Sequence, residues 1–230
     1  MSRHTVRLPL LFAVLLLLPA LASAQQSFQV NVGYFSPRGE DSRVDGDALV
    51  GNLDFHTFDL GDLGNVAVGG EWLFPLGDYL EGGVGVSYFS RTIPAVYTEF
   101  VNDNGAEIEQ DFKLRMVPVS ATIRFLPLGR GARIEPYVGA GLGVFVWRYT
   151  ETGEFIDDNF DIFRDRFEDD GTAVGPLVFG GVRLPMTHNF SIGGEVRYQR
   201  AEGELDPDLF NGDRIDLGGL TWQAVLQFRF

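Results

Sequence analysis

The chain has 230 residues, with 18 basic and 32 acidic side chains, a formal charge of −14 and no Cys. That length suits one domain, or one domain with long loops, and the lack of Cys excludes disulfides and thiolate metal sites. The acidic balance, with Lys113 as the one lysine, argues against a nucleic-acid partner, because phosphate contacts need Lys and Arg.

The N-terminus has the order of a secretory signal. Arg3, His4 and Arg7 precede an apolar run from Leu8 to Leu21, and Ala22-Ser23-Ala24 supplies a small-residue cleavage site. Residues 1–24 are therefore expected to be removed, leaving 25–230 as the mature domain. The alternative is a retained anchor helix, but the apolar run falls short of the roughly 20 residues a span needs. Gln25 follows the cleavage site, so the Cys of a lipid anchor is missing. The leader contains Arg3 and Arg7 and no acidic residue, which makes the mature chain more acidic than the whole.

From Gln25 onward, apolar residues recur with period 2 in segments of about ten, the sequence form of a transmembrane barrel with one face on lipid. Phe28 to Ser36 puts Phe28, Val30, Val32 and Tyr34 on one face. Asn65 to Phe74 does so with Val66, Val68, Trp72 and Phe74, and Tyr79 to Arg91 with Leu80, Val84, Val86 and Tyr88. In Phe112 to Phe125, Val117, Val119, Ala121 and Ile123 form one face, while Phe112, Leu114 and Met116 have the opposite parity. A phase change at Pro118 predicts a bulge there. Ile134 to Tyr149 alternates Val138, Ala140, Leu142 and Val144 with Glu135, Tyr137, Gly139 and Gly141. Ala173 to Leu184, Phe190 to Arg200 and Gly219 to Phe230 complete eight segments.

Short connections (75–78, 126–133, 185–189) alternate with long polar ones (37–64, 92–111, 150–172, 201–218). Seven connections are what eight strands need. The expected fold is all-β: an eight-stranded antiparallel transmembrane barrel with short periplasmic turns and long acidic extracellular loops. A soluble lipocalin-like barrel is the alternative. It would have to expose the charged and aromatic residues of the second face.

At this point the chain resembles the small outer-membrane β-barrel family, which includes the OmpA transmembrane domain, the OmpW proteins and the opacity-type surface proteins. Pro136-Tyr137-Val138-Gly139-Ala140-Gly141-Leu142-Gly143, Val117-Pro118-Val119 and Gly194-Glu195-Val196-Arg197-Tyr198 carry the likeness. The resemblance implies the cell outer membrane as location and outer-membrane lipid as surroundings. It also implies that Leu226, Phe228 and Phe230 form a C-terminal signal read by the barrel assembly machinery. The peptidoglycan-binding domain of full-length OmpA is expected to be absent. These motifs specify a fold and a location, not an activity.

Inward charges recur on nearly every strand: Glu71, Glu81, Arg124, Glu135, Arg183, Glu195, Arg197 and Arg229. Four are acidic and four basic, and inside a narrow barrel they must pair. The expectation is a neutralised plug. The alternative is a gate whose pairs exchange partners and pass small solutes. Above them, Gly83, Gly85, Gly139 and Gly141 leave room for water or accommodate Phe145, Trp147 and Phe179.

In loop 150–172, Ile156, Phe160, Phe163 and Phe167 have the spacing of one face of a short amphipathic helix. Asp157, Asn159, Asp161, Asp165 and Glu168 also fall at calcium-loop positions, although Ile162 stands where that loop needs Gly. Diffuse attraction of divalent ions is the preferred reading, and no metal or cofactor is expected. For catalysis, the mature chain offers only His56, which has no serine near it in sequence, and His188 in a periplasmic turn. The chain is therefore expected to be a non-enzymatic monomer with a structural or surface-interaction role, meeting an extracellular partner through its acidic loops. A narrow porin-like channel is the runner-up, and an outer-membrane lipid-modifying enzyme a remote third.

Overall fold

The computed structural model describes residues 25–102, 104–157 and 159–230; the expected signal, 1–24, lies outside them. Eight strands follow in chain order: β1 Ser27–Pro37, β2 Asn65–Pro75, β3 Leu80–Val101, β4 Glu107–Phe125, β5 Glu135–Ile156, β6 Ile162–Pro185, β7 Phe190–Gln199 and β8 Gly219–Arg229. Each pairs antiparallel with its chain neighbours, and β8 pairs with β1, so the sheet closes. Closure satisfies backbone groups that lipid cannot. Cα partners traced around the ring run from Ser27 through Leu73, Gly83, Thr122, Gly141, Leu177, Gln199 and Gly219 to Pro37, ten residues further along β1. A stagger of that size tilts the strands by roughly 40°.

The two faces follow the sequence alternation. Val32, Val68, Val84, Val119, Leu142 and Val178 are exposed on the outer wall, and Gln29, Glu71, Glu81, Arg124, Glu135 and Arg183 are buried inside. In water, each exposed Val or Leu would forgo about 1.5–3 kcal/mol of burial. A continuous wall of them fits an apolar solvent.

Two local expectations are overturned. No bulge forms at Pro118, because β4 keeps one phase, with Val117↔Val146, Pro118↔Phe145 and Val119↔Val144 in unbroken register. Phe112, Leu114 and Met116 share the inward face with Ser120, Thr122 and Arg124 and are fully buried. The parity of apolar residues switches because the interior itself changes from polar to apolar along the strand. The register irregularity lies instead between Val96 and Val101.

The second correction concerns 150–172, which forms no helix. β5 and β6 continue past the barrel as a hairpin, paired as far as Ile156↔Ile162. Phe160 sits in its turn at φ 66°, while Phe163 and Phe167 pack on Phe155. The continuous β5–β6 ladder, running unbroken from the barrel wall to the turn, outcompeted a helical period only three turns long. The residues at calcium-loop positions lie along this same hairpin, from Asp157 and Asp161 at its turn to Asp165 and Glu168 on β6. No group of His, Asp or Glu among the described residues is placed to hold a metal ion.

Two of the long loops fold into the barrel mouth. Between β1 and β2, α1 (Ala48–Leu53) is capped by Asp47, whose carboxylate accepts from the Leu49 and Val50 amides. His56–Thr57 then pairs with Val96 and Tyr97 of β3. Between β7 and β8, Glu202–Glu204 pairs with Arg214–Asp216. Ala48, Leu49, Leu63, Phe210, Ile215 and Leu217 from these loops form one core with Phe89, Phe112, Leu114, Phe145, Trp147 and Tyr149 of the wall.

Candidate functional site

The lumen has two layers. In the periplasmic half, all eight inward charges come together. Arg124, wholly buried, pairs with Glu71 and lies 3.6 Å from Glu195. Arg197 reaches the same two carboxylates at 3.3 and 3.0 Å. Nearer the periplasm, Arg183 meets Glu81 at 2.9 Å and Glu135 at 3.4 Å, and Arg229 meets Glu135 at 2.7 Å.

Neutral side chains hold these charges in place. Arg124 donates to Gln29 at 2.9 Å, Gln223 and the Tyr137 hydroxyl donate to Glu195 at 2.7 and 3.0 Å, and Thr122 donates to Glu71. The Tyr137 ring lies 5.1 Å from the guanidinium carbons of both Arg124 and Arg183, while Phe179 lies 5.0 and 5.1 Å from those of Arg124 and Arg197. Glycine makes this possible at two points. A Cβ at Gly83 would overlap Glu71 and Thr122, and one at Gly139 would overlap the Phe179 ring. Of the small inward residues, Gly139 thus accommodates an aromatic ring, Gly83 leaves space for Glu71 and Thr122, and Gly85 lines a cavity.

Sequence reasoning missed Arg130, in the β4–β5 turn, which lies 3.7 Å from Glu81. A turn residue has no parity, so alternation could not place it. It also missed a second charged cluster in the mouth. Arg43 donates to Asp47 at 2.9 and 3.0 Å, Asp47 accepts from the Asp216 amide at 2.6 Å, and Asp216 pairs with Arg38. The usable signal was Arg43 four residues before Asp47, with Asp47 directly ahead of Ala48-Leu49-Val50 as an N-cap. Between the layers lies a cavity of about 40 Å³, lined by Glu71, Arg197, Ser87, Ser120, Phe89 and Phe145 among others. Since a water needs roughly 10–15 Å³ of such volume, it has room for a few at most.

The closed ring, the apolar outer wall and the polar interior now stand together, and residues 10–230 match the outer membrane protein beta-barrel domain family. The chain belongs to that family. Its place is the cell outer membrane. Among solved structures, it is similar to the outer membrane protein OprG from Pseudomonas aeruginosa, at 10% identity and TM-score 0.53, covering 90% of this chain and 96% of that one. Neisserial surface protein A matches at 14% identity and TM-score 0.46, covering 89% and 97%. At 10% identity the OprG likeness shows the fold alone. Comparison with curated proteins gives no match.

His56 is not a solvated loop residue. It is buried on the inner side of the mouth, its Nδ1 3.2 Å from the Asn52 carbonyl and its ring 4.2 Å from that of Tyr97. Burial pushes its pKa below the ordinary 6.5. The unfolded loop therefore binds a proton more readily than the folded one. The contribution of His56 to loop stability is intact above about pH 6.5 and is lost as pH falls through the lowered folded value. Amide exchange across residues 48–53 should accelerate on acidification in the wild type relative to His56→Asn at each pH. Identical profiles would show that His56 carries no such linkage.

Proposed function

We propose that this outer-membrane barrel has a structural or surface-interaction role, its lumen closed by two layers in series. The Glu/Arg pairs form the periplasmic layer and the inserted loops form the outer one. The observation that carries this reading is the small residual volume: about 40 Å³ between the layers. Removing one partner from a buried pair costs about 3–5 kcal/mol, so the charged layer resists opening. The remaining long connections stand above the mouth as the β3–β4 and β5–β6 hairpins, the parts offered to an extracellular partner. Phe228 and Phe230, exposed on the outer face at the end of β8, together with Leu226, would serve the assembly machinery. No catalytic role is assigned to His56 or His188, and the protein is read as a monomer.

The second reading, a narrow channel gated by the same pairs, has one observation in its favour. Arg197 borders the cavity and contacts both Glu71 and Glu195, as a side chain exchanging partners would. Single-channel recording of the refolded protein in planar bilayers separates the two. The closed-barrel reading expects no discrete openings from the wild type, nor from Arg197→Gln. Openings in the wild type whose conductance changes in Glu135→Gln or Arg197→Gln would replace it with the channel.

A further inference from the structure

Three basic side chains stand together on the outer wall, where β4 and β5 leave the apolar belt. Lys113 and Arg115 share the outward face of β4, and register sets Arg115 directly opposite Arg148 of β5. Like charges directly opposite one another destabilise an antiparallel pair. One step toward the membrane on the same faces, the cross-strand pair is Val117 and Val146. At the side, the Arg115 guanidinium lies 5.9 Å from the centre of the half-exposed Tyr88 ring.

Carboxylates neutralise this group only in part. Arg148 meets Glu168 at 3.0 Å and Asp170 at 3.5 Å, and Glu168 is shared with Arg166. Asp111 follows Lys113 on the outward face, farther from the membrane. Among the described residues, neither Lys113 nor Arg115 forms an ion pair with a carboxylate. A concavity of about 90 Å³ opens between Arg115 and Arg148, with Val117 and Val146 as its floor and Asp170 at its border.

We propose that this concavity binds a phosphate of the phosphorylated glycolipid that forms the outer leaflet. Charge-assisted, forked contacts from two guanidinium groups suit a phosphate, and Lys113 adds a third cation from above. The position selects a lipid rather than a soluble anion. The concavity opens sideways, one residue pair above the apolar belt, so acyl chains attached to the bound headgroup lie along Val117, Val146 and the valines below. The bound phosphate relieves the Arg115–Arg148 repulsion. This inference does not depend on whether the lumen conducts.

The test uses the full refolded protein in detergent micelles, bisphosphorylated lipid A as the probe and native mass spectrometry as the readout. Wild type is expected to retain one lipid A. Arg115→Gln combined with Arg148→Gln should weaken binding about tenfold or more, whereas the double Lys variant, which keeps the charge but loses the guanidinium fork, should bind with an affinity between the two. Arg164→Gln, on the exposed hairpin, should bind as wild type. Heat-modifiable migration on a denaturing gel verifies that each variant has folded. Unchanged binding by the double Gln variant, or equal binding of lipid A stripped of its phosphates, would overturn the proposal. Displacement by micromolar inorganic phosphate would also overturn it, by assigning the site to a free anion.

Discussion

Replacing Arg124 with Met is expected to lower the unfolding free energy by about 3–5 kcal/mol, the range for breaking a buried ion pair from one side. Arg124 is fully buried and sits between Glu71 and Glu195. Without it, both carboxylates share Arg197 as their cation, and Gln29 loses the guanidinium it accepts from. The double variant Arg124→Met with Glu71→Leu should recover much of the loss. It removes one charge of each sign and leaves Arg197 paired with Glu195 at 3.0 Å, and replacing both members of a buried pair with apolar groups is often close to neutral. Urea unfolding of the barrel in lipid vesicles, run as a double-mutant cycle, measures both effects. A cost below about 1 kcal/mol for Arg124→Met would mean that water already solvates this layer.

The barrel was legible in the sequence because its two solvents differ along every strand. Val30, Val32 and Tyr34 of β1 alternate with Gln29, Asn31 and Gly33, and that parity alone places Glu71, Glu81, Arg124, Glu135, Arg183, Glu195, Arg197 and Arg229 in one lumen. What parity cannot express is a change of interior along the strand. Phe112, Leu114 and Met116 face inward like Arg124, but they meet the core built by Ala48, Leu49 and Ile215. An apolar residue whose partner arrives from a loop looks out of phase when only the strand is read. The same blindness hid the Arg43–Asp47–Asp216 cluster. Its members lie up to 173 residues apart, and nothing local in an acidic loop separates a buried carboxylate from a solvated one. The helix expected over 156–167 failed for a related reason: Phe163 and Phe167 lie four apart on one strand, and the partner that covers them, Phe155, comes from the facing strand rather than from one helix face.

The inserted loops should come loose when Asp47 is replaced by Ala, while the barrel itself stays folded. One carboxylate serves four donors: the Leu49 and Val50 amides at 3.1 and 3.2 Å, Arg43, and the Asp216 amide at 2.6 Å. Losing an N-cap of this kind costs about 1 kcal/mol, and leaving the buried Arg43 without its carboxylate adds to that. A local opening made easier by about 2.8 kcal/mol corresponds to a hundredfold faster tryptic cut after Arg43 when opening is at equilibrium. Migration on a denaturing gel should remain that of a folded barrel, because Asp47 contacts none of the residues in the periplasmic charge layer. The electrical outcome then ranks the two layers. With its loops released, Asp47→Ala is expected to stay silent in planar bilayers, because the Glu/Arg layer still closes the lumen. Silence that gives way only when Arg124→Met is added would place the seal in series. Discrete openings from Asp47→Ala alone would show that the loops are the gate and that the ion pairs below them leave a path for solute.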